Sequence, residues 1–119
     1  MNSKTPKTEE ESRQAFLDLH PKWNRDWEET EDGQIVVLVP KFGDHPLGRW
    51  LMARLAKPYL RLKLDEVGSF VWQRCNGMNS VRDIAADLER RFGEKVHPTE
   101  DRLILFLRQL HRTKSIVWT

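Results

Sequence analysis

At 119 residues the chain is the size of one small domain. It is 39% hydrophobic, contains five Trp and is 32% charged, enough for a real core under a polar surface. The net charge of +2 argues neither for nor against nucleic acid, no apolar run approaches the ~20 residues of a membrane span, and a single cysteine excludes an internal disulfide. The start, MNSKTPKTEEES, has no signal-peptide character, so a cytoplasmic protein is expected. Charge is unevenly spread: residues 1–32 hold 5 Lys/Arg against 9 Asp/Glu, and residues 33–119 hold 15 against 9. A mildly basic module behind an acidic start would draw acidic partners weakly.

Residues 1–8 read as a disordered tail. Thr8 before Glu9, Glu10 and Glu11 predicts a short helix, ended by His20-Pro21. We therefore expect a flexible, partly helical N-terminal arm over 1–21 and one domain over 22–119. Lys22–Glu29 and Gln34–Pro40 are predicted strands joined by a turn at Asp32-Gly33. The second is apolar on both faces and should be central, covered on both sides. Pro46–Ala56 predicts an amphipathic helix with Leu47, Trp50, Leu51 and Leu55 at helical spacing, a candidate cover for the sheet's outer face or, in a homodimer, for a neighbour's.

Tyr59–Leu64 (YLRLKL) alternates, so Leu60, Leu62 and Leu64 are expected to face inward and Tyr59, Arg61 and Lys63 outward. Three helices follow. The first spans about Asp65–Cys75 with an Asp cap. The second runs from Ser80 to Phe92, with Ser80 and Asp83 as a capping box and Gly93 as its stop. The third begins near Pro98-Thr99 and ends near Arg112. A short strand, Ser115–Trp118, closes an α+β, winged-helix-like domain: a three-stranded antiparallel sheet on three C-terminal helices.

Catalytic chemistry has little support. Cys75 has no His near it in sequence and lies on a helix of core residues, so it reads as a buried structural thiol. His20, His45, His97 and His111 are scattered without metal-ligand spacing. GDHPLG lacks a phosphate-loop ending, and Asp65-Glu66 are explained by a helix N-terminus. Neither a catalytic residue, a cofactor nor a metal is expected. The alternative to be weighed is a winged helix-turn-helix nucleic-acid binder. On the second helix, however, Asp83, Asp87 and Glu89 share the exposed face with Arg82 and Arg90, and the acids would repel phosphate. On the third helix Leu103, Phe106, Leu107 and Leu110 form the core stripe, with Ile104 at its margin. Leu105 projects to the opposite side, among Arg102, Gln109 and Arg112. An exposed Leu with flanking cations suits an amphipathic acidic peptide, and Tyr59–Leu64 could accept that peptide as an added strand.

Residues 59–118 also carry a family pattern. It consists of Leu64, Asp65, Gly68, Val71 and Trp72; Gly77; Val81, Ile84, Ala85, Leu88, Phe92 and Gly93; then Leu103, Phe106, Leu107 and Leu110. In that order and spacing they resemble the PqqD-like family, pyrroloquinoline quinone synthesis protein D and its relatives, the RiPP precursor recognition elements. The upstream QIVVLVPKF looks like the earlier strands of such domains, whereas the N-terminal arm and the Pro46–Ala56 helix are additions. The resemblance implies a non-catalytic peptide-binding chaperone. Such proteins bind the leader of a ribosomally made precursor and present it to a modifying enzyme, often a radical SAM protein. By matching position the peptide groove would be Tyr59, Arg61 and Lys63 on the strand, with Arg102, Leu105, Phe106 and Gln109 on the third helix.

Overall fold

The computed structural model describes residues 8–41, 50, 53–55 and 57–119. Its elements in chain order are α1 (Glu9–Leu17), β1 (Pro21–Trp23), β2 (Trp27–Glu29), β3 (Ile35–Pro40) and β4 (Tyr59–Lys63). Then come α2 (Glu66–Gln73), α3 (Val81–Phe92), a 3-10 turn (Gly93–Val96), α4 (Thr99–Arg112) and β5 (Ile116–Trp118). All but Thr8 of the tail expected over 1–8 lies outside the described residues, as does most of the helix expected over 46–56.

Local chemistry accounts for the helix starts. The Thr8 side chain accepts from the Glu11 backbone N–H and the Glu11 carboxylate accepts from the Thr8 N–H, which completes a capping box. Ser80 and Asp83 make the same reciprocal pair at α3. Asp65 caps α2 by accepting from Gly68 N–H at 2.7 Å. Gly93 ends α3 at φ 61°, a conformation that costs little only without a Cβ.

The fold is α+β. A three-stranded antiparallel sheet, ordered β2-β3-β4, puts the doubly apolar β3 in the centre, as its sequence predicts. The core joins Ile35 and Val37 of this sheet to Val71 and Trp72 of α2, Ile84 and Leu88 of α3, and Leu103, Leu107 and Leu110 of α4. Leu17 of α1 is fully buried in the same core. Arg13 fastens α1 to the start of α4 through Asp101 at 2.6 Å and Glu100 at 3.0 Å.

Two expectations need correction. Lys22–Glu29 is not one strand: β1 pairs with β5 in a separate two-stranded ribbon, while β2 pairs with β3. The break falls at Asn24, whose side chain donates to the Lys114 carbonyl and whose N–H donates to that of Ser115, both at 2.9 Å. Trp23 is anchored away from the main sheet by its indole N–H, which donates to the Trp72 carbonyl at 2.6 Å. A short polar side chain that satisfies backbone elsewhere competes with the ladder, and here it wins.

The second correction concerns Leu60 and Leu62. Their register opposite Val39 and Val37 does place them on the core-facing side of the sheet. Yet Leu60 is 56% exposed and Leu62 42%, whereas Leu64 is only 6% exposed. The core reaches Leu64 and stops, so β4 overhangs it with an apolar face that no described residue buries.

The fully buried Trp72 lies at the junction of sheet and helices, with Trp27 edge-on at 6.5 Å. Trp72→Ala should cost about 3–5 kcal/mol, a large part of a stability typically of about 5–15 kcal/mol. Ser80→Ala should cost about 1 kcal/mol, the usual cost of a lost N-cap. Urea titrations of the two variants should therefore differ severalfold in midpoint shift.

Candidate functional site

The site is set by how the chain passes from β4 into α2. Leu64 N–H donates to the Ile35 carbonyl at 2.8 Å. The reciprocal bond is not made directly: Ile35 N–H donates to Ser69 Oγ at 2.9 Å, and that hydroxyl donates to the Leu64 carbonyl at 3.3 Å. The buried Ser69 thus stands in the ladder between β3 and β4 and ties both to α2. Immediately afterwards Asp65 caps the helix, so strand, cap and first helical turn are fixed as one unit.

Beside that unit lies a pocket of ≈ 380 Å³, walled by Lys63, Leu64 and Asp65, by Val67, Gly68 and Val71 of α2, by Leu88 and Val96, and by Thr99, Arg102, Leu103 and Phe106 of α4. Gly68 leaves room for the strand end and cap that precede it and meets Phe106 of α4 across the pocket. A Cβ there would stand 3.2 Å from Asp65 Oδ1, 3.3 Å from Leu64 Cβ and 3.4 Å from Phe106 Cζ. Arg102 is held at the rim by donating to the Lys95 carbonyl at 2.9 Å. The rim thus carries the cation of Arg102 against one carboxylate already engaged with a helix N-terminus, while Lys63 lines the wall from a strand position that shares its sheet face with Arg61.

The outer side of β4 is an edge. In an antiparallel ladder the residues that bond to one neighbour alternate with residues whose N–H and C=O point away from it. Leu64 bonds to β3, as does the Pro58 carbonyl, which accepts from Lys41 N–H at 2.9 Å. Leu60 and Leu62 share their parity. Tyr59, Arg61 and Lys63 therefore direct their backbone groups outward, where no strand of the described residues meets them.

Residues 60–116 match the family model for coenzyme PQQ synthesis protein D (PqqD). This segment, 57 of the 119 residues, is PqqD-like. Neither a curated protein nor a solved structure matches the chain. The matched segment runs from β4 into β5 and contains the whole pocket wall, so the PqqD-like portion and the candidate site coincide; α1 through β3 lie upstream of it. The match relates this segment to PQQ synthesis.

Of the seven residues singled out from sequence, the PqqD-like fold brings Lys63, Arg102 and Phe106 together in the pocket wall. Arg61, on the same sheet face as Lys63, lies outside the pocket wall and pairs with Glu28 across β3 at 2.8 Å. Tyr59 borders a separate depression with Trp23, Arg25, Leu38 and Pro40. Leu105, 61% exposed, and Gln109 lie outside the pocket wall. Sequence reasoning did not single out Asp65, Gly68 and Ser69 as the unit that shapes the pocket. The L-D-x-x-G run was visible, but the bond of Ser69 to a strand 34 positions upstream left no local signal.

The arginines of α3 are engaged within the chain: Arg82 with Asp18 at 3.0 Å, Arg91 with Glu66 at 3.5 Å, and Arg90 with Asp87. Asp87 also accepts from Arg74 at 3.4 Å. No observation favours contact with nucleic acid. Among the described residues no group of three His, Cys, Asp or Glu side chains is placed to hold a metal, and no helix is long and apolar enough to cross a membrane.

Cys75 is fully buried and its thiol donates to the Val71 carbonyl at 3.3 Å, as expected of a structural thiol. Burial disfavours the thiolate and pushes its pKa from 9.0 up to about 12. The folded state therefore holds the proton where the unfolded state releases it. The stabilisation is complete below 9.0 and is lost as pH rises toward about 12. The stability difference between the parent chain and Cys75→Ala should stay constant below pH 9 and shrink above it. A difference that does not change with pH would mean that the thiol is solvated.

Proposed function

We propose that this PqqD-like chain is a non-catalytic peptide-binding adaptor, built as one module over 22–119 with residues 1–21 as its arm. It binds the leader segment of a ribosomally made precursor peptide and presents it, in the cytoplasm, to a modifying enzyme of the radical SAM kind. The observation that carries this reading is the open edge of β4 beside the Lys63–Arg102–Phe106 pocket. An extended peptide would gain main-chain hydrogen bonds from Tyr59, Arg61 and Lys63, and side-chain packing from the pocket and Phe106. Leu105 and Gln109 would meet those parts of the leader that pass over α4.

Titrating a precursor leader peptide into 15N-labelled protein should move the amides of Tyr59–Leu64 and of Arg102–Gln109. Shifts confined to other elements would refute the groove. Arg61→Pro isolates the backbone contribution, because the N–H it removes points away from β3 and proline is tolerated on an edge. Relative to Arg61→Ala, which keeps that N–H, it should weaken binding several-fold, about the 1 kcal/mol of one net hydrogen bond. Leu105→Asp should weaken binding and leave the melting temperature nearly unchanged, since Leu105 is 61% exposed.

A further inference from the structure

The register of β4 fixes which side of an added strand each peptide residue occupies. A residue opposite Leu60 or Leu62 falls on the face that carries Ile35 and Val37, and a residue opposite Arg61 or Lys63 falls on the other. The two faces differ sharply in chemistry. On the first, Leu60 and Leu62 stand 56% and 42% exposed at the margin of the core, in line with the buried Leu64 that walls the pocket. On the second, β4 offers cations. Arg61 shares its charge with Glu28 in a solvent-exposed pair, whereas Lys63 has no carboxylate within ion-pair distance among the described residues. Asp32, whose carboxyl feels the charge of Lys63, is held by the Thr30 hydroxyl.

From this partition we propose that the site selects an extended segment in which acidic and apolar residues alternate. The apolar residues cover Leu60 and Leu62 and reach the pocket beside Phe106, and the acidic ones stand opposite Arg61 and Lys63. The inference rests on the reading of β4 as a peptide-binding edge and adds a side-chain rule to it. A second copy of the chain is a poorer occupant. β4 against its own copy would set Arg61 and Lys63 against cations, and like charges directly opposite each other are destabilising.

Four capped nine-residue peptides test the rule by amide-shift titration of the full chain. They are alternating Leu/Glu, alternating Leu/Ser, alternating Leu/Lys, and a block peptide with the Leu/Glu composition. The alternating Leu/Glu peptide should bind at β4 about fivefold tighter than Leu/Ser, the yield of two cross-strand ion pairs, with Leu/Lys weakest. The block peptide should bind more weakly than alternating Leu/Glu. Lys63→Glu should bring the affinities of Leu/Glu and Leu/Lys close together, since Arg61 still favours the acid. Equal affinities of the three alternating peptides at β4 would overturn the rule while leaving the edge reading intact. Shifts that avoid β4 for all four would overturn the edge reading itself. Concentration-dependent dimerisation through β4 that every peptide merely competes with would make a second copy the occupant and overturn the proposal.

Discussion

The hydroxyl of Ser69 stands where a direct ladder bond between Ile35 and Leu64 would otherwise lie, and the architecture of the site follows from that substitution. A buried strand end must satisfy its N–H and C=O groups or lose stability at about 1–3 kcal/mol each. By serving both strands from the first turns of a helix, Ser69 lets β4 leave the sheet and enter α2 within two residues without orphaning either group. Asp65 then meets the helix N-terminus, and Gly68 removes the atom that would crowd Asp65 and Leu64 in that tight passage. The pocket is thus a by-product of how strand, cap and helix are joined.

Much of this was legible in the sequence, because it is written in local chemistry. The caps at Thr8, Asp65 and Ser80, the stop at Gly93 and the stripe on the last helix each depend on residues within a turn or two of one another. What escaped depends on distant partners. Trp23 and Asn24 leave the main sheet because the carbonyls of Trp72 and Lys114 are waiting for them, and nothing between Lys22 and Glu29 announces that. The alternation of β4 gave the correct parity for Leu60 and Leu62. It could not reveal whether anything lay opposite, because parity is a property of one strand and burial a property of two elements. Arg102 and Phe106 were legible as site residues because helical periodicity points them to one side; Lys63 and Arg61 share one strand parity, so periodicity alone could not tell that Lys63 lines the pocket and Arg61 does not.

Charge follows the same division. The basic excess of residues 33–119 suggests an anionic partner, yet the arginines of α3 are committed to Asp18, Glu66 and Asp87. Exposed pairs of this kind contribute only about 0–1 kcal/mol each to stability. Their larger consequence is for recognition: they leave the helix face nearly neutral, and Lys63 and Arg102, which have no carboxylate partner among the described residues, stand out against it. In the proposed reading the helix-turn-helix segment is the scaffold of the groove.

An open sheet edge is a hazard as well as an opportunity, since any extended chain can pair with it. β4 limits that hazard in two ways. It is short, a five-residue strand in which Tyr59, Arg61 and Lys63 alone present outward backbone groups. Arg61 and Lys63 place positive charge along the edge itself, which penalises pairing with a second copy of the same strand. Both devices discourage indiscriminate addition, and neither penalises a strand that brings acids to the charged face and apolar residues to Leu60 and Leu62. The features that protect the edge are then the same ones that would choose its partner.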